Sequence, residues 1–176
     1  MNKLAIMDRV ILLGNILNEF GPIKGEKSLQ KIIYLFQQYC HHLGYRYNWN
    51  IHGPISNDLI TDIHESHAIG ITSIKWEDNI PIYQSNSNLS HISKYWKEKL
   101  ERDQLSNQVK IKISKIRDIL QEKMENPEEL EILSSIHYIN NSFQHEINHN
   151  NNIHDRYSPD KINEMSSILG KFNEIQ

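Results

Sequence analysis

Apolar residues recur at helical spacing over residues 4–20, at Leu4, Met7, Val10, Ile11, Leu13, Leu17 and Phe20, and Gly21-Pro22 follows as a stop. Residues 28–43 carry the cleanest 3.6-residue period in the chain: Leu29, Ile32, Ile33, Phe36, Cys40 and Leu43, with Gly44 placed for a helix C-terminus. The period then changes to two. Tyr45-Arg46-Tyr47-Asn48-Trp49-Asn50-Ile51 alternates apolar with polar, as a half-buried strand does, and His52-Gly53-Pro54 breaks it. Ser56 is a candidate cap for a helix that buries Leu59, Ile60 and Ile63 and stops by Gly70. The runs 71–76 and 80–83 predict a strand pair around Glu77-Asp78-Asn79, with Pro81 confining its strand to an edge or an end. Beyond a polar loop at 84–90 the pattern is helical. One helix carries Leu89, Ile92, Trp96 and Leu100, and a longer one Val109, Ile113, Ile116, Leu120 and Met124. Asn126-Pro127-Glu128-Glu129 is a helix start, followed by Leu130, Leu133, Ile136, Ile139 and Phe143. Ser158-Pro159-Asp160 starts the last helix, with Ile162, Met165, Leu169 and Phe172 inward. The expected fold is α+β and mainly helical. An N-terminal lobe (1–88) holds helix, helix, strand, helix and hairpin in a winged-helix-like order, and a C-terminal helical bundle (89–176) follows.

At 176 residues the chain is long enough to bury a core without staples. Its one cysteine, Cys40, excludes an intrachain disulfide framework and a cysteine-rich metal site. Asp8 and Arg9 interrupt the first apolar run, and no stretch approaches the roughly 20 apolar residues of a membrane span. A cytoplasmic protein is therefore expected, in keeping with a mean hydropathy of −0.60. Isoleucine and asparagine make up about a quarter of the chain, a compositional bias of AT-rich coding and not a property of a site. Charge is uneven: residues 1–88 hold 7 basic and 8 acidic groups, 89–124 hold 9 and 5, and 125–176 hold 3 and 9, giving −1, +4 and −6. The middle is basic and the tail acidic.

The run Lys27-Ser28-Leu29-Gln30-Lys31-Ile32-Ile33-Tyr34-Leu35 resembles a helix of the Panacea (SocA-like) antitoxin domains and of the related YwgA-like family. Tyr47, Trp49 and His52-Gly53-Pro54-Ile55-Ser56-Asn57-Asp58-Leu59 resemble the aromatic strand and "G-P-x-S-x-x-L" of the same families. Leu130 to Tyr138 and Tyr157 to Ile162 are similar to two later blocks of the YwgA-like proteins. Ser28 displaces the leucine at the second position of the antitoxin helix motif. The resemblance implies a non-catalytic prokaryotic interaction protein that neutralises a toxin or defence effector by stoichiometric contact, without a cofactor.

The chemistry-bearing constellations each have a plainer reading. Gly53-Pro54-Ile55-Ser56 is a tight strand-to-helix corner, or a corner presented to a partner beside Tyr47, Trp49, His52 and Asn57. Lys24, Lys27 and Lys31 are candidates for steering an acidic partner. His145-Glu146-Ile147-Asn148-His149 matches H-E-x-x-H, with His154 as a third zinc ligand and Glu146 as general base. Its surroundings are weak helix formers, which favours adventitious metal binding by a histidine-rich loop over metalloprotease chemistry. His64 and His67 are spaced for chelation, but nothing nearby completes a set, and His41-His42 at a helix end suits the helix dipole. No nucleotide-binding or nucleophile-elbow motif is present.

Three readings follow. The leading one is a protein-binding, antitoxin-like regulator contacting its partner through Tyr47, Trp49, His52, Pro54, Asn57, Lys27 and Lys31. The second is a winged-helix nucleic-acid regulator, although the recognition helix at 56–68 would carry Asp58, Asp62 and Glu65 and no Lys or Arg. The remote third is a zinc hydrolase.

Overall fold

A computed structural model describes residues 6–40, 43–87, 94, 106–142 and 155–175. The protein is mainly helical α+β. In chain order the elements are α1 (Ile6–Phe20), β1 (Ile23–Lys24), α2 (Glu26–Tyr39), β2 (Asn48–Asn50), β3 (Gly53–Ile55), α3 (Asn57–Ala68), β4 (Thr72–Glu77), β5 (Ile80–Ser85), α4 (Ser106–Leu120), α5 (Pro127–Ser142) and α6 (Pro159–Phe172), with a 3-10 turn over Asn173–Ile175. The expected helix around Leu89–Leu100 lies outside the described residues, Lys94 excepted.

The first half has the order and strand pairing of a winged helix. β1, read from sequence as loop, lies between α1 and α2 and pairs with β5, giving an antiparallel sheet of order β1-β5-β4. β1 escaped the sequence pattern because two residues have no periodicity. Tertiary pairing, Ile23 opposite Tyr83 and Lys24 opposite Ile82, is what makes them a strand. The strand holding Pro81 is therefore central and not an edge. Pro81 is tolerated because it sits near the strand end, where its carbonyl accepts from Gly25 at 2.8 Å and β1 has already turned away.

A second correction concerns 45–55. The strand predicted over Tyr45–Ile51 is only three residues long, and the Gly53-Pro54 break is itself strand. β2 and β3 pair with Asn48 opposite Ile55, Trp49 opposite Pro54 and Asn50 opposite Gly53. Tyr45 leaves the ladder because a side chain satisfies its backbone: Gln37 donates to the Tyr45 carbonyl at 3.0 Å and accepts from its N–H at 2.9 Å.

The capping signals fall where the sequence placed them. Ser56 accepts from Leu59 N, Ser158 from Lys161 N, and Asn126 from Glu128 N and Glu129 N. Gly21 and Gly44 take positive φ after α1 and α2.

One hydrophobic cluster joins both segments. Leu13, Ile16 and Leu17 of α1, Leu29, Ile33 and Phe36 of α2, Ile116 and Leu120 of α4, Leu130 and Leu133 of α5, and Met165 and Phe172 of α6 are all buried in it. Arg9 and Asp62 form a buried pair, Arg9 Nε to Asp62 Oδ2 at 2.7 Å, and the Tyr45 hydroxyl donates to the same carboxylate at 3.0 Å. The acidic tail does meet the basic middle: Lys123 pairs with Glu129 at 2.7 Å and with Glu164 at 3.2 Å. No helix among the described residues is long and apolar enough to cross a membrane.

Candidate functional site

The two motifs singled out from sequence fold against each other. α2 is buried nearly all round, so its polar side chains must find partners inside the protein. Gln30 donates to the Ser56 carbonyl at 3.0 Å and accepts from the Ser56 N–H at 3.0 Å. Lys31 donates to the Pro54 carbonyl at 2.8 Å. The side chains of α2 thus stand where a neighbouring strand's backbone would, and they hold the 45–56 segment in place.

Gly53 makes this close approach possible. Its φ is +81°, and a β-carbon there would lie 2.5 Å from Ser135 Oγ of α5.

Glu131 of α5 lies beside this junction, its side chain 2% exposed. Lys27 Nζ is 2.8 Å from Glu131 Oε2, Arg156 Nη2 is 2.7 Å from Oε1, and the Tyr157 hydroxyl donates to Oε1 at 2.7 Å. His52 Nδ1 is 3.6 Å from Oε2. Arg156 also donates through Nη1 to the Ile51 carbonyl. Burial works against the Glu131 charge. Hydrogen bonds from Lys27 and Tyr157, with the Lys27 and Arg156 charges, outweigh it and hold the carboxyl below its usual range. Burial lowers the Lys31 ammonium to about 8 against a partial counter-effect of Glu131, and the Lys27 charge lowers it further.

Behind this cluster is an aromatic layer. Tyr34 meets Tyr47 edge-on at 4.9 Å, and Trp49 stacks on Tyr138 at 5.7 Å. Tyr34 Oη is 2.8 Å from His137 Nδ1, and Asn141 Nδ2 is 3.0 Å from His137 Nε2. Asn141 Nδ2 is a donor, so Nε2 accepts and Nδ1 carries the proton toward Tyr34. Burial lowers the imidazole to about 4.

The residues named from sequence are brought together, but several face inward. Lys31 is 1% exposed and Pro54 is buried, so neither offers the partner contact assigned to it; Lys31 is consumed by the Pro54 carbonyl. The Tyr47 hydroxyl is buried without a hydrogen-bond partner among the described residues, and Trp49 is half-buried on Tyr138. An alternating strand buries one face, and here that face holds the aromatics. His52, Asn57 and Lys24 are exposed, and Lys27 is half-buried.

His64 and His67 are both exposed, and His67 Nδ1 is 3.3 Å from the Thr72 carbonyl. The zinc alternative at His145, Glu146, His149 and His154 lies outside the described residues, as do His41 and His42. Among the described residues no group of three or more His, Cys, Asp or Glu is placed to hold a metal ion. Burial pushes the Cys40 thiol up to about 12, with Lys112 pulling the other way, consistent with a packing role.

Sequence reasoning missed Glu131, Arg156 and Trp76. Glu131 looked like one more acid in an acidic helix, and only burial distinguishes it. Trp76 shares the inner sheet face with Ile74 and Thr72 but overhangs the core at the wing tip, 67% exposed. No family model, curated protein or solved structure matches the chain.

Proposed function

We propose that the chain is a non-catalytic, antitoxin-like regulatory protein of the prokaryotic cytoplasm that acts by binding a protein partner, a toxin or defence effector, in a fixed stoichiometry. The observation that carries this reading is Trp76, 67% exposed beside Glu77 and Asp78 at the tip of the β4–β5 wing. An exposed tryptophan is a strong anchor when desolvated in a protein interface, whereas acids at a wing tip repel phosphates. The outer stripe of α3 agrees: Asn57, Thr61, His64, Glu65 and Ala68 are exposed and include no Lys or Arg. The proposed contact surface is the wing and α3, while Tyr47 and Trp49 of the aromatic strand are half-buried.

A nucleic-acid regulator is the second reading. The winged-helix strand order and the exposed Lys94, Lys110 and Lys115 favour it. Affinity capture of the tagged chain from its native cytosol, with and without nuclease, separates the two. A single stoichiometric protein that survives nuclease, and whose affinity for the Trp76→Ala variant falls about tenfold or more, is expected. Nucleic acid alone, bound with an affinity that drops steeply with salt, would put the second reading first.

A further inference from the structure

The cluster around Glu131 is electrically unbalanced. Two cations, Lys27 and Arg156, the Lys31 ammonium that burial lowers to about 8, and one histidine, His52, surround a single buried carboxylate. Glu131 can neutralise one of them. Of the acids near in sequence, Glu129 is spent on Lys123 and Lys161, and Glu26, Glu128 and Asp155 are exposed, where solvent screens them. A single cation on Glu131 would suffice to tie α5 to α2.

The surplus faces outward. Lys27 and Arg156 each keep 39% of the side chain exposed and His52 keeps 54%, whereas Glu131 beneath them keeps 2%. Among the described residues, donors remain without a partner. Lys27 spends one of three N–H groups on Glu131, and Arg156 spends Nη1 on the Ile51 carbonyl and Nη2 on Glu131. Glu131 and the Ile51 carbonyl hold the rim cations in position before any ligand arrives, and Gly53 lets the turn bearing His52 approach α5.

We propose that Lys27, His52 and Arg156 form an oxyanion-binding site that takes a phosphate or carboxylate group over the buried Glu131. Each oxygen of such a group accepts charge-assisted hydrogen bonds from the spare donors, and the guanidinium offers a fork suited to two oxygens. Lys31 behind the rim adds a favourable field without contact. The group comes either from a small phosphate ligand or from an acidic side chain of a protein partner, with the same chemistry at the rim. The site does not depend on the wing, so it stands apart from the Trp76 reading.

The test is a titration of the full chain, followed by the His52 ring resonances, with inorganic phosphate in one arm and a short Asp/Glu-rich peptide in the other. Sodium chloride at matched ionic strength is the reference. Saturable shifts in either arm are expected, and the arm that saturates at lower concentration identifies the source. Lys27→Gln with Arg156→Gln should weaken binding about tenfold or more, monitored beside a thermal melt. Because that pair also closes the fold, His52→Gln is the second variant: it is exposed, should melt like the parent and should still weaken binding severalfold, read from the Arg156 side-chain resonances. Linear responses no larger than those to chloride in both arms, or equal binding by parent and folded variants, would overturn the site.

Discussion

Gly53 concentrates much of the local physics. Its positive φ disfavours any side chain, and the β-carbon of an alanine would collide with Ser135 Oγ. Gly53→Ala should cost about 2–4 kcal/mol in chemical denaturation, combining backbone strain with overpacking. Adding Ser135→Ala should recover the packing part and leave the strain, which a double-mutant cycle reads directly. His137 supplies the pH dependence. The imidazole titrates near 6.5 when unfolded and is lowered to about 4 when folded, so the unfolded state binds the proton first. Its contribution is present above pH 6.5 and is lost as pH falls toward 4, up to about 3 kcal/mol if the shift is fully realised. Glu131, held below the usual carboxylate range, adds a loss in the same direction at lower pH. Urea melts from pH 7.5 to 4 should show this slope, and His137→Gln should flatten its upper part. An unchanged slope in that variant would place the titrating group elsewhere.

Among elements, α2 does the most unusual work. A helix normally leaves strand-like backbone to be satisfied by other strands. Gln30 and Gln37 each pair both backbone groups of one residue, Ser56 and Tyr45, and so replace a missing strand with two amides. Truncation leaves a buried N–H and carbonyl without partners. Gln30→Ala should therefore cost about 2–4 kcal/mol, more than an exposed amide contact, and Gln30→Glu should cost a similar amount because it loses the donor. The wing has its own control. Asp78 and Asn79 take φ of +49° and +63°, the left-handed pair of a type I′ hairpin. Asn79→Gly should be neutral or stabilise by a few tenths of a kcal/mol, and Asn79→Val should destabilise by about 1–2 kcal/mol, both measured by thermal melt. The two variants also separate wing geometry from Trp76 chemistry in partner binding.

At the scale of the molecule, the two segments share one hydrophobic core. α5 packs on α2 and on β3, and α6 packs on α5, with Phe172 and Met165 fully inside the shared core. The winged-helix half therefore lacks one wall when cut away. A fragment ending at residue 87 would expose the apolar faces of α1 and α2 to water and is expected to lose cooperative unfolding and to associate. The full chain should melt in a single transition, visible in calorimetry. Removal of 155–175 should be nearly as damaging, because it uncovers α5 and deletes Arg156 and Tyr157 from Glu131.

Periodicity and capping residues determined most elements unaided. The α2 stripe, the Ser56, Asn126 and Ser158 caps, the glycine stops and the Asp78-Asn79 hairpin are encoded within a few residues of where they act, so local pattern suffices to find them. β1, the β2–β3 hairpin, the central position of the Pro81 strand and the inward turn of Tyr47, Pro54 and Lys31 depend on partners tens of residues away. The candidate site divides the same way. Its motifs, K-S-L-Q-K and H-G-P-I-S, stand out in sequence, but their roles do not, because hydrogen bonding between them carries no local signal. Glu131 and Arg156, at 79 and 104 residues' separation from His52, complete the site only through folding. Burial sets Glu131 apart from the exposed Glu128 of its helix, and burial is a property of the tertiary structure alone.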